Sequence, residues 1–282
     1  MRGSAAVGAA LLVAAAAVGP RPAAVAVPAL AWTSSVAGVE RAAVEIAGGG
    51  EGWRTRIVAV RVDPRRVRFS LRARVAAGFP GWRVERAPDA AILAVNTGQF
   101  SGFVPWGWVV MNGDEIRPPG RGPLAPAIGW DALGRTRWYE PDEIDGARRR
   151  GTVVEALQSY PTLIDARGLV PQALIRDGLG VDVRHRDRRL AIGEDANGRV
   201  ILALTRFYGL GEMSPDLPLG LTLEEMADVM RGLGCQRAVA LDGGVSAQLM
   251  VREHGQRIVW HGWRSVPLGL IAEPVPAQAD GE

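Results

Sequence analysis

A run of small and branched apolar residues, Ala238 to Leu241, breaks off at Asp242; Gly243, Gly244, Val245 and Ser246 follow before a second apolar run reaches Met250. Such a run suits a strand buried on both faces, and it ends on a carboxylate. Two glycines let the chain turn sharply and leave backbone N–H groups open to a ligand. Just upstream, Gly220–Gly234 reads as the clearest helix of the chain. Thr222 and Glu225 have capping-box spacing, and Leu223, Met226, Ala227, Met230 and Leu233 form one apolar stripe. Gly234 is the expected stop. The unit is a helix, a short connection, a buried strand and an Asp-Gly-Gly turn. In isolation that turn is ordinary β-turn chemistry, so the rest of the chain must decide its role.

The chain has 282 residues, 48% of them hydrophobic, enough for a substantial core. Its 33 basic residues are all arginine, and the net charge is only +3. That balance lacks the concentrated basic face of a nucleic-acid binder, but it suits an anionic small substrate, which arginine can grip bidentately. Cys235 is the only cysteine, so no intramolecular disulfide forms. No Cys/His pattern suits zinc. His185, His254 and His261 are scattered, which gives a Ser-His-Asp triad no support. Residues 1–26 read as a secretory signal: Arg2, an apolar run over Ala5–Val18, and a small-x-small site at Ala24-Val25-Ala26. The alternative is an uncleaved N-terminal anchor, the only membrane contact expected.

Residues 27–52 lack a strong period and read as a lead-in. Trp53–Val75 alternates as two strands about Asp63-Pro64, with Arg66, Arg68, Arg72 and Arg74 on the outer face. Ile92, Leu93 and Val95 predict a short buried strand that ends at Asn96, with Gly98 permitting a turn. Trp108–Met111 is strand-like, and Asn112-Gly113 signals a hairpin. Trp106 and Trp108 flank Gly107 near the Asn96 loop, where aromatic faces could carry a sugar ring; core packing is the competing fate. Ile128–Tyr139 predicts a strand pair, and the acidic-basic stretch after it reads as loop. Leu190–Ile192 and Val200–Leu204 read as a hairpin turning at Asp195–Gly198. The arginine run Arg184–Arg189 is either a solvated edge or an anion-binding rim. His261–Pro274 carries a last strand, and 275–282 is a loose tail.

Taken in order, these motifs resemble the phosphodiester glycosidase family over Trp53–Glu273. The segments that carry the resemblance are Asn96-Thr97-Gly98-Gln99-Phe100; Pro105, Gly107 and Gly113; Pro161-Thr162-Leu163; Arg189-Leu190-Ala191-Ile192-Gly193; Thr222-Leu223-Glu224-Glu225; Leu241-Asp242-Gly243-Gly244-Val245-Ser246; and Arg264-Ser265-Val266. Thr97 stands where the family has glycine, Gln99 where it has phenylalanine, Leu190 where it has a hydroxyl residue, and Val245 where it has a third glycine.

The resemblance implies one α+β domain over 53–274, with a mixed, strand-rich sheet and few helices. It also implies a secreted or cell-envelope hydrolase that cleaves the glycosidic bond of a sugar-1-phosphodiester in a cell-wall or capsular glycan. Such a reaction needs a carboxylate beside the anomeric carbon and an arginine or backbone amides on the phosphate. Asp242, Arg189 and Asn96 are the expected catalytic residues. Gly98, Gly107, Trp108, Gly243, Gly244, Ser246 and Arg264 are expected to bind substrate. Glu194 or Asp195 could add a second carboxylate. No resident cofactor or metal is expected, although a divalent ion is compatible. Two alternatives stand beside this reading. One is a non-catalytic module that binds anionic glycan. The other is a metal-assisted phosphodiesterase with Asp242, Asn96 and Glu194 as oxygen ligands.

Overall fold

The computed structural model describes residues 25–36, 38–47, 54–73, 81–175, 182–208, 217 and 219–275. The expected signal segment lies outside the described residues except for 25 and 26, as do Arg74 and all of the tail but Val275. At the centre is a seven-stranded sheet. Its strands, in spatial order, are Thr33–Val36, Val39–Ala47, Arg54–Val62, Val200–Phe207, Leu190–Asp195, Cys235–Ala240 and Thr162–Ile164. The segment read as a lead-in therefore supplies two strands. Val39–Ala47 pairs with Arg54–Val62 along its whole length.

Two five-stranded sheets complete the framework. One orders Gln256–Trp260, Leu249–Glu253, Leu93–Asn96, Leu268–Pro274 and Val67–Ala73; the other orders Thr136–Tyr139, Ala127–Asp131, Val153–Gln158, Val109–Met111 and Asp114–Arg117. All the pairings in these three sheets are antiparallel. The expected single mixed sheet is thus replaced by several antiparallel ones. The two strands about Asp63-Pro64 form as read, but they do not pair with each other. Arg54–Val62 joins the large sheet, while Val67–Ala73 crosses to pair with Leu268–Pro274. Alternation marks a strand's faces and says nothing about its neighbour.

Strand alternation divides the core. Val58, Val60, Ile192, Leu202, Leu204 and Val239 face the two smaller sheets, against Leu93, Leu249, Leu270 and Leu157. Ile57, Ala59, Ala191, Ile201, Ala203 and Ala238 face the other way, under the helix Leu223–Gly232. Leu190–Asp195 and Cys235–Ala240 are covered on both faces, which explains their nearly unbroken apolar runs.

The helix is built as its sequence predicts. Thr222 Oγ1 accepts from Glu225 N–H at 3.2 Å, and Glu225 Oε2 accepts from Thr222 N–H at 3.0 Å. Gly234 follows it at φ +88°, the left-handed position that favours glycine. The stretch read as loop after Tyr139 instead folds as the helix Ile144–Arg150, closed by Gly151 at φ 62°. Only Ile144 and Ala147 of this helix are buried, too few apolar positions for a periodic signal.

Candidate active site

At one end of the large sheet the strand Cys235–Ala240 runs out into Leu241 and Asp242. Leu241 N–H still donates to Leu190 O, at 2.8 Å, but Asp242 N–H donates to Thr97 O of a smaller sheet, at 3.0 Å. The turn is therefore seated where two sheets meet. Asn96 fixes it from behind: its Nδ2 donates to Asp242 O at 2.8 Å, and its Oδ1 accepts from Gln248 N–H at 2.9 Å. Both glycines are sterically required. A Cβ on Gly243 would lie 2.5 Å from Arg188 O, and one on Gly244, at φ +56°, would lie 2.8 Å from Asp187 Oδ2.

The turn forms the floor of a cleft of about 410 Å³ lined by Phe100, His185, Asp187, Asp242, Gly243, Gly244, Val245, Ser246 and Arg264. Burial pushes the Asp242 carboxyl up to about 6. The Ser246 hydroxyl, which donates to it, and the Arg264 charge pull the other way, while Asp187 adds to the rise. Burial also raises Asp187, although its Oδ1 accepts from Arg188 N–H at 2.8 Å. Arg264 extends over the ring of Phe100, 4.7 Å from its centroid. Tyr160 borders the site: burial first, then the Asp242 charge, raises its phenol, and Trp106 packs edge-on against its ring at 4.5 Å. Two carboxylates that repel each other and one arginine thus share a single opening. That arrangement can hold an anionic group and handle a proton beside it.

The three bends singled out in the sequence, at Asn96, Arg189 and Asp242, do converge, but only Asp242 faces the cleft. Asn96 is fully buried, with its amide bonded to backbone. It holds the turn in place and does not line the cleft. The Arg189 guanidinium also turns inward. Nε donates to Leu221 O at 2.8 Å, Nη2 donates to His185 O, and burial lowers its pKa. The arginine that lines the cleft is Arg264. Trp108 is a core residue, 1% exposed, with its Nε1 donating to Glu115 and its ring edge-on to Tyr139. Gly98 and Gly107 are likewise packing positions. A Cβ on Gly98 would meet Ser159 Oγ at 2.8 Å, and one on Gly107 would meet Gln158 Oε1 at 2.8 Å. Gly243, Gly244 and Ser246 line the cleft as expected, but Gly244 N–H already donates to Arg188 O at 2.7 Å, so it is not an open anion donor.

Glu194 and Asp195 lie at the far end of their strand. Asp195 is in register with Cys235, a strand length of about 17 Å from the Asp242 turn. Asp195 bonds Arg199 at 2.7 Å and Glu194 faces Arg237 at 3.8 Å. The proposed ligand set of Asp242, Asn96 and Glu194 therefore does not assemble. The second carboxylate is Asp187, which the sequence reading missed. Its signal was a lone acid inside the arginine run, two residues before Arg189. A β-bridge fixes Asp187 there: its N–H and C=O both pair with Leu221, at 3.1 and 3.0 Å. No group of three or more His, Cys, Asp or Glu side chains that could hold a metal ion occurs among the described residues.

A strand-rich framework with two carboxylates at a sheet end carries the side chains that glycosidase-type hydrolysis uses. The family comparison agrees: the profile of the phosphodiester glycosidase family matches residues 89–273, and the chain belongs to that family of glycosidase-type hydrolases. The fold is shared with the catalytic domain of zebrafish N-acetylglucosamine-1-phosphodiester alpha-N-acetylglucosaminidase, at TM-score 0.63 and 17% identity, covering 87% of each chain. It is shared too with a hypothetical protein from Synechocystis, at TM-score 0.64 and 15% identity. That alignment covers 88% of this chain but only 64% of the other, so this chain spans less than two thirds of that protein. A search of curated protein sequences finds no match.

Proposed function

We propose that this chain hydrolyses the glycosidic bond of a sugar-1-phosphodiester, and that its substrate comes from a cell-wall or capsular glycan met outside the cytoplasm. The observation that carries the reading is the Asp242 carboxyl, raised to about 6 in a cleft it shares with Asp187 and Arg264. Arg264 offsets the phosphate charge. The ionised Asp242 faces the anomeric carbon and stabilises its developing positive charge. Asp187 takes a proton from the attacking water. The C1–O bond breaks with its electron pair going to the phosphate oxygen, and the water oxygen joins C1. The products are a free sugar and a phosphomonoester. A phosphate leaving group needs little protonation, so the reaction does not require a strong acid in the cleft.

Hydrolysis of the methyl diester of N-acetylglucosamine-1-phosphate in ¹⁸O-water tests this directly. Label in the sugar supports the reading. Label in the phosphate overturns it in favour of P–O cleavage. Binding without turnover overturns it in favour of a glycan-binding module.

A further inference from the structure

Of the eight large apolar side chains that stand exposed among the described residues, Val245 (36% exposed) lines this cleft, and three sit on segments that line it: Trp263 (53%), next to Arg264, and Phe103 (50%) and Val104 (47%), on the hairpin that starts at Phe100. Exposed apolar groups scattered singly need no explanation, whereas a cluster beside a polar site does. Phe103 and Val104 form the tip of the hairpin Phe100–Ser101/Val104–Pro105, whose base, Phe100, lies under Arg264. A Cβ on Gly81 would touch both Ser265 Cβ, at 2.6 Å, and the Phe103 ring, at 3.1 Å, which brings the hairpin tip against the 262–265 loop. Trp263 and Arg264 both donate their N–H to Val245 O, at 2.7 and 3.2 Å.

The loop is held firmly. Arg83 donates to Ser265 Oγ at 3.1 Å, Gly262 O at 2.9 Å and Trp263 O at 3.1 Å. Trp263 is thus presented outward by a braced backbone, and a rigid aromatic binds at low entropic cost. Exposure rises from the half-buried Asp242 carboxylate to the exposed Arg264 and the exposed apolar side chains beside it. A sugar over Asp242 with its phosphate on Arg264 would direct the second ester group of that phosphate onto this apolar collar.

Resting on the hydrolase reading above, we infer that the alcohol on the far side of the phosphate is apolar: an alkyl, prenyl or aryl group held by Trp263, Phe103, Val104 and Val245. The polar residues of the cleft recognise the sugar and phosphate, and the collar selects the leaving group.

The test compares the methyl and hexyl diesters of N-acetylglucosamine-1-phosphate. Turnover is measured with the full chain, and binding by calorimetry with Asp242→Asn. The hexyl diester is expected to bind about tenfold more tightly and to show a correspondingly lower KM. Replacing Trp263 and Phe103 together by serine should erase that preference while leaving kcat/KM for the methyl diester within about twofold. Equal affinities for the two diesters overturn the inference. So does a preference that survives the double substitution, an equal loss for both diesters, or a dimer by sedimentation that the substitution dissolves. Absence of turnover with the affinity difference intact refutes the hydrolase reading and leaves the collar standing.

Discussion

At the scale of single residues, the protonation of Asp242 dominates. Its carboxyl rises from 3.8 to about 6 through burial, so the folded chain holds a proton there that the unfolded chain releases. This favours folding fully below pH 3.8, and the advantage is lost as the pH rises through about 6. Above that, the buried charge disfavours the fold by about 3 kcal/mol, an order-of-magnitude figure. Asp242→Asn should therefore abolish turnover yet raise stability at pH 7 to 8, with no gain at pH 4. Urea unfolding at the two pH values checks the sign. A variant destabilised at pH 8 would show that Asp242 serves the fold. In the wild type, kcat/KM should climb with pH through about 6 as Asp242 ionises. The two arginines should separate as well. Arg264→Gln should raise KM for a phosphodiester about 10- to 100-fold with a smaller effect on kcat. Arg189→Gln should instead lower stability and kcat together, because its guanidinium ties down backbone and does not line the cleft.

At the scale of elements, the Asp-Gly-Gly turn depends on groups that lie outside the cleft. Asn96→Ala would strip the partner from two buried backbone groups, Asp242 C=O and Gln248 N–H. A loss of about 3 kcal/mol is expected by thermal unfolding, with activity falling alongside it. Thr222→Ala should remove one arm of the capping box and destabilise by about 1 kcal/mol with turnover unchanged. The two outcomes distinguish an element that positions the site from one that covers the sheet. The helix, its cap and its stop were all legible in the chain, because each rests on residues within one or two turns. The placement of Asn96 and Arg189 was legible only in part. Their position at strand ends follows from where apolar runs stop, but the direction of their side chains depends on partners at Asp242, Gln248 and Leu221, far away in the sequence.

At the scale of the whole molecule, stability concentrates in the strands covered on both faces. Leu190–Asp195, Val200–Phe207 and Cys235–Ala240 lie between the helix layer and the smaller sheets. Hydrogen exchange should find their amides the slowest, and those of Ile144–Arg150, mostly exposed on a short helix, much faster. Uniform protection across both would argue against this layering. The cleft sits where the large sheet and a smaller one are joined by the bond from Asp242 N–H to Thr97 O.

The chain alone determined whatever depends on nearest neighbours: the buried strand ending at Asp242, the glycines behind it, the capped helix, the hairpins at Asn112-Gly113 and Asp195–Gly198, and the family these motifs resemble. Apolar periodicity and turn chemistry act over a few residues, so they are written locally. Only the tertiary structure decided that every sheet is antiparallel, that Asp187 and not Glu194 or Asp195 stands with Asp242, that Arg264 and not Arg189 lines the cleft, and that Trp108 is core. Those outcomes depend on which strand lies beside which, and pairing is set by burial and backbone hydrogen bonding summed over segments as much as two hundred residues apart.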